Sequence, residues 1–224
     1  MNAALATAPT GAAPPTPVTV RVAAPEDYDA VRALLLRAYE SRFWITSSYR
    51  ESLLDIEGHV ADHGPDGPRG EDLVLAVDDA GDAGAGGRRI LGAVFVPRDT
   101  QTGPDGAVEQ SFGRLGVAPE AAGRGIARVL VEHIEALARG RGASRIAIHS
   151  GPQMHGAHRM YEHLGYLRRP EREDLVVDSG QRLLVYTREL GEPEAMPRAS
   201  GPPARPDDPR TDPALRAPDP RRIP

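Results

Sequence analysis

One junction constrains this chain more than any other: an apolar strand, a Gly-rich turn and an amphipathic helix follow one another through Leu115–Arg128, LGVAPEAAGRGIAR. A turn of that kind frees several backbone N–H groups at the helix start, and the helix dipole adds partial positive charge there. Together they hold phosphate without a cationic side chain. Gly123 and Gly125 lack a Cβ, which lets backbone approach a pyrophosphate closely. Two familiar nucleotide sites are excluded. All 27 basic residues are Arg, so the Lys of a P-loop is missing. In a dinucleotide fingerprint Arg128 would stand where the third Gly belongs, and the region some twenty residues on, Gly142–Ser144, offers no acid for a ribose. A tight turn with no ligand is the simpler alternative, and the turn alone does not decide against it.

The surrounding pattern predicts the elements that would frame this turn. Val18–Val22 alternates as a strand. The next stretch, PEDYDAVRALLLRAYE, places Val31, Leu34, Leu35 and Ala38 on one helical face after acids suited to a helix start. Ser48–Val60 reads as a second helix. Leu73–Val77 and Ile90–Val96 are apolar strands joined by the hairpin loop DDAGDAGAGGRR. After a loop near Thr102–Gly106 comes one strand over Gln110–Val117, then a helix over Gly123–Arg139 with Ile126, Leu130, Ile134 and Leu137 in a stripe. RIAIH (Arg145–His149) is a strand, His155–His163 a short helix, and LLVYTREL closes the domain as a strand. That order predicts an α/β (α+β) fold, a mixed and mostly antiparallel sheet of six to seven strands with about four helices on both faces, rather than a doubly wound sheet.

Val117-x-Pro119 followed by Gly123-Arg124-Gly125-Ile126-Ala127 resembles the acetyl-CoA motif of the GNAT (GCN5-related) N-acetyltransferase superfamily. AHRMYEHLGY (Ala157–Tyr166) resembles the same family's A-x-x-x-Y-x-x-x-G-[FY] helix and turn, at the family's separation. The resemblance covers nearly all of Val18–Leu190. It implies an enzyme that moves an acetyl group from acetyl-CoA, a co-substrate, directly to an amine without a covalent enzyme intermediate. It also implies a cofactor site. Backbone groups of Leu115, Gly116 and Val117 would pair with the pantetheine arm, and the amides of Gly123, Arg124, Gly125, Ile126, Ala127 and Arg128 would hold the pyrophosphate. Two positions depart from the family pattern: Ala122 stands where Arg or Gln is usual, and Met154 where Asn is frequent. Weaker cofactor affinity is the expected consequence of the first, since backbone donors carry most of the phosphate contact.

Amine acylation needs a neutral amine, stabilisation of the developing oxyanion and a proton for the departing thiolate. The resemblance puts Tyr161 where many members place the proton donor; packing of its ring between helix and sheet is the competing role. His149 ends the RIAIH strand, on one face with Arg145 and Ala147, where some members carry a general-base Glu. A His could do that work near neutral pH, or could simply be a hydrogen-bonded strand end. Glu109 is a second base candidate, against the reading of a solvated loop charge. His59 and His63 share a helix face, and His155, His158 and His163 lie on the short helix, but neither HExxH nor a third-ligand spacing occurs, so no metal is expected. Tyr39–Thr46 (YESRFWIT), with the chain's single Trp, could line an acceptor site or cover the core.

Composition bounds the rest. A net charge of −5 argues against a nucleic-acid binder. No run approaches the roughly 18 apolar residues of a membrane span. Cys is absent, which fits a reducing cytoplasm and removes disulfides and thiolate chemistry. Residues 1–17 read as a disordered lead-in without a signal peptide's features, 18–191 as the acetyltransferase domain, and 192–224, dominated by Pro, Arg, Asp and Ala, as a disordered tail. The expected partner is a small-molecule or peptide amine acceptor, with no nucleic acid and no membrane; a homodimer is compatible with such folds. The rival class is a non-catalytic acyl-CoA-binding module whose tail docks a partner.

Overall fold

The computed structural model describes residues 18–64, 67–78 and 89–191. The predicted lead-in, the tail and most of the DDAGDAGAGGRR loop lie outside the described residues. The first strand, β1 (Val18–Val22), hands over to helix α1 (Tyr28–Glu40) through Asp27. The Asp27 carboxylate accepts the Ala24 amide at 2.8 Å and both Arg21 terminal nitrogens at 2.6 and 2.8 Å. One acid therefore caps the turn and pins it to β1. Val31, Leu34, Leu35 and Ala38 are buried, as their spacing predicts.

The single helix expected over Ser48–Val60 is instead two, α2 (Ser47–Leu54) and α3 (Ile56–Val60). The break falls at Asp55, which leaves helical geometry (ψ 63°) and turns its carboxylate onto the Gly58 amide at 3.1 Å. The side chain has replaced a backbone acceptor, as Asp does at helix starts.

Strands β2 (Glu71–Asp78) and β3 (Ile90–Pro97) form the centre of a four-stranded sheet ordered β1-β2-β3-β6. After the two-residue β4 (Gln101–Thr102), the strand expected over Gln110–Val117 is divided into β5 (Val108–Gln110) and β6 (Gly113–Val117). They belong to different sheets. β6 pairs antiparallel with β3, whereas β5 pairs parallel with β7 (Arg145–Ser150), in a second sheet ordered β4-β5-β7-β9-β8. Between the halves Phe112 is buried, and Arg114, the second residue of β6, takes a φ of 50°, a left-handed conformation that costs a non-Gly residue energy. The Gln110 side-chain amide donates to the carbonyls of Pro97 and Ser111 at 2.9 and 3.1 Å, satisfying backbone that the break releases. Beyond the break β6 and β7 are unpaired with each other, and a cleft opens between them.

Helix α4 (Ile126–Gly140) packs Ile126, Leu130, Val131 and Ile134 against the four-stranded sheet, while α1 takes the opposite face. Two glycines fix those distances. A Cβ on Gly92 would lie 2.9 Å from Ile126, and one on Gly116 would lie 2.8 Å from Leu35. In the ladder Gly92 faces Val117 and Ala93 faces Gly116, so the two glycines point to opposite sides, one to each helix. Helix α5 (His155–His163), the short β8 (Leu167–Arg168) and β9 (Leu184–Glu189) complete the domain, with β9 antiparallel to both β7 and β8. Tyr166, at the end of the Ala157–Tyr166 motif, is buried and donates to Glu135 of α4 at 3.0 Å; Arg188 of β9 holds the same carboxylate at 2.7 Å. The architecture is mixed and mostly antiparallel, as expected, but its strands are distributed over two sheets and its helices number five among the described residues.

Candidate active site

The turn before α4 leaves a run of backbone donors free. Gly123 and Gly125 have φ of 77° and 79°, conformations that are costly for residues with a Cβ. That geometry, with α4 starting at Ile126, leaves the amides of Gly123, Gly125, Ile126, Ala127 and Arg128 without an acceptor among the described residues. The amide of Arg124 differs: it donates to Ala121 at 3.3 Å, and its guanidinium lies 3.8 Å from Asp78. Arg128 spends its side chain on Glu132 at 2.7 Å, one turn along α4. The cradle is thus made of backbone donors.

These amides face a cavity of about 610 Å³ whose walls include Gly116, Val117 and the N-terminal half of α5. Leu115 also lines it, with its carbonyl accepting the Tyr39 hydroxyl at 3.2 Å. No motif points to Arg42, which lines this cavity just past the end of α1 and has no carboxylate partner among the described residues. Its position depends on how α1 crosses the sheet.

A second cavity, about 590 Å³, occupies the cleft between β6 and β7. It shares Tyr39, Leu115, Gln153, Met154 and Ala157 with the first, so the two meet along a common wall. Tyr161 and His149 both line it. Tyr161 is buried, packed edge-on against Phe112 with centroids 6.2 Å apart, and its hydroxyl has no hydrogen-bond partner among the described residues. Burial, reinforced by the neighbouring Tyr49 phenol, pushes its pKa well up and keeps the phenol protonated. The ring therefore packs, while its hydroxyl remains free for a proton transfer. His149 is exposed toward the cleft; desolvation there, with the Arg172 charge in addition, lowers its pKa below the ordinary value, so it is neutral at pH 7.

Glu109 is neither a base nor a solvated charge. It is only 6% exposed, and Arg172 grips both carboxylate oxygens at 2.8 and 2.7 Å while Arg145 adds a third contact at 2.9 Å. Burial alone would raise its pKa, but the two guanidinium groups outweigh it and lower it. A carboxylate so held is a poor proton acceptor. The histidines are dispersed in role. His158 is buried, 3.1 Å from the Ser150 hydroxyl and stacked on Tyr186; His59 sits beside Ser52; the His163 ring contacts the Arg159 carbonyl. Among the described residues no three potential ligands gather around a metal-sized site. The YESRFWIT segment divides its aromatics: Tyr39 is buried and Phe43 half-buried, whereas Trp44 stands 82% exposed at the mouth of the second cavity.

Backbone cradle, splayed strands and the two abutting cavities define an acyltransferase fold of the GNAT type. The model of the acetyltransferase (GNAT) family matches residues 83–166 of the chain. Among solved structures the fold is similar to a GNAT-family acetyltransferase from Staphylococcus aureus Mu50, with a TM-score of 0.57 at 14% identity over 78% of this chain and 99% of that one. It is similar to the PaiA N-acetyltransferase of Thermoplasma acidophilum in complex with coenzyme A, with a TM-score of 0.55 at 12% identity over 75% and 98% of the respective chains. A spermidine N-acetyltransferase chimera from Vibrio cholerae and hSSAT gives a TM-score of 0.54 at 16% identity over 77% and 95%. No curated protein matches the sequence. No helix among the described residues is long and apolar enough to cross a membrane.

Proposed function

We propose that this chain is a cytoplasmic N-acetyltransferase that moves an acetyl group from acetyl-CoA directly to an amine of a small-molecule or peptide acceptor, with 18–191 as its catalytic domain. The observation that carries the reading is the junction of the two cavities: five unpartnered amides on a left-handed Gly turn in one, Tyr161 and His149 in the other, and a shared wall between them.

The residues divide the work accordingly. Amides of Gly123 and Gly125–Arg128 hold the pyrophosphate, and Arg42, which lines the same cavity and has no carboxylate partner among the described residues, serves a further phosphate. The Arg124 amide, committed to Ala121, adds little to that grip. The free edge of β6, Leu115–Val117, pairs with the pantetheine arm as an added strand. Neutral His149 takes the proton that the acceptor nitrogen must lose, before attack from an ammonium or as the carbon–nitrogen bond forms, directly or through one water. The Tyr161 phenol gives a proton to the departing sulfur as the carbon–nitrogen bond forms and the carbon–sulfur bond breaks. Its raised pKa makes it a weak acid in isolation, and the transfer is favourable because the thiolate it meets is desolvated in the same cleft. The coenzyme A complex of the structurally similar Thermoplasma protein supports an acyl-CoA donor.

Replacing Tyr161 by Phe tests the assignment. The expected result is a fall in kcat of about 100-fold, with calorimetric affinity for acetyl-CoA unchanged. Equal losses in both, or loss in neither, would remove the proton-donor role. Donor binding with no thiol release for any amine would favour the acyl-CoA-binding module, a reading to which Ala122 and Met154 at motif positions lend some support.

A further inference from the structure

The mouth of the second cavity has an uneven surface chemistry. Among the described residues six large apolar side chains are exposed, and three of them, Trp44, Leu175 and Val176, line this one opening. They arrive from opposite directions. Trp44 lies between α1 and α2, while Leu175 and Val176 belong to the hairpin between β8 and β9. That hairpin is closed by the Val177 amide donating to Gln181 at 3.0 Å and the Gly180 amide donating to Val177 at 2.8 Å. Exposed apolar side chains that gather at a concave site, rather than scatter, mark a surface that a ligand covers.

The charges of the cavity narrow the ligand further. Its lining holds Arg114, Asp178 and His149 as ionisable side chains other than tyrosines. The Arg114 guanidinium is committed, paired with Glu71 and lying 4.7 Å from the Phe95 ring centroid. His149 is neutral near pH 7. Among the described residues Asp178, at the hairpin tip, is therefore the one carboxylate lining this space. A polyamine with several ammonium groups would find a single counter-charge, and a multiply anionic acceptor would find no free cation. An acceptor with one amine and an apolar body loses little by desolvation and covers the rim.

We propose that this cavity binds, as the acceptor, a monoamine with an aromatic or branched aliphatic body. That body lies under Trp44 and against Leu175 and Val176, and the nitrogen reaches inward to His149 and Tyr161. The direction of the nitrogen rests on the N-acetyltransferase reading; the place of the apolar body does not. Trp44 is the only Trp of the chain, so its emission reports occupancy independently of catalysis. The full chain is titrated with 2-phenylethylamine, 3-methylbutylamine and spermidine, with and without acetyl-CoA, while Trp emission and free thiol are followed. The expected result is a saturable blue shift with the first two amines and none with spermidine over the same range. Trp44→Ala should raise KM for 2-phenylethylamine by about tenfold or more with kcat preserved, because the loss is of uniform binding. A blue shift without thiol release would keep the apolar amine site and refute the transfer reading. Saturation by spermidine at lower concentration than by either monoamine, or an unchanged KM in Trp44→Ala, would overturn the proposal.

Discussion

At the scale of single residues, environment assigns roles that residue type leaves open. Tyr161, His149 and Glu109 are three titratable groups within reach of the same strands, and their surroundings push them apart. Glu109 is locked as an anion by Arg145 and Arg172. Tyr161 is held protonated by burial, and His149 is held neutral by desolvation and a nearby cation. The Ala157–Tyr166 motif singles out Tyr161, strand alternation sets His149 on one face with Arg145 and Ala147, and both Tyr161 and His149 line the second cavity. Sequence did not reveal the Glu109 ion triad, because Arg172 is 63 residues away in the chain and only the fold brings it close. The His149 assignment carries a pH dependence with a definite sign. Its pKa lies below the ordinary 6.5, so the active, neutral form persists through pH 6.5 and is lost only as pH falls further. With a weakly basic aromatic amine as acceptor, which stays unprotonated in this range, kcat/KM should be flat above pH 6.5 and decline below it. His149→Gln should lower kcat/KM by about 100-fold and abolish that limb. A limb above pH 6.5, or one that survives in the variant, would assign the base elsewhere.

At the scale of elements, regular pieces were readable and switches were not. The bounds expected for the strand Val18–Val22 and the helix His155–His163 coincide with those observed. The division of 108–117 into β5 and β6 was missed because apolar positions run on through it; what breaks it is a change of partner, from β7 to β3, which no local pattern records. Asp55 was missed for a related reason: within LLDIEGHV it could serve equally as a helix-interior or a capping residue. The turn before α4 supplies the prediction at this scale. A Cβ on Gly125 would meet nothing within 4 Å, so the Gly125→Ala penalty is conformational alone. With φ at 79° it should cost about 1–2 kcal/mol of stability and, by re-aiming the amides, weaken acetyl-CoA binding by about tenfold. Gly140→Ala is the control: it is the last residue of α4 with open space around it, and should gain about 0.5 kcal/mol with donor affinity unchanged. Thermal unfolding and calorimetry on the two variants check both halves; equal donor affinity in Gly125→Ala would separate the turn from phosphate binding.

At the scale of the whole domain, the site exists because one strand changes sheets. The four-stranded sheet carries α1 and α4 on opposite faces, the five-stranded sheet carries β7 and β9, and the cleft lies where β6 and β7 diverge. The first cavity is lined largely by residues close in sequence, within Leu115–Arg128, so its wall follows a local pattern in the chain. The second is lined by Trp44, His149, Tyr161 and residues between Leu175 and Leu183, segments that share no local motif. Legibility and locality thus coincide. The central claim, direct transfer from a donor on the Gly turn to an amine in the adjoining cavity, is tested most directly by mixing the full chain with acetyl-CoA and an apolar monoamine and quantifying free thiol and N-acetylamine together. The account predicts amine-dependent thiol release, matched one for one by N-acetylated product. Thiol release that is independent of the amine, or tight donor binding with no release at all, would contradict it.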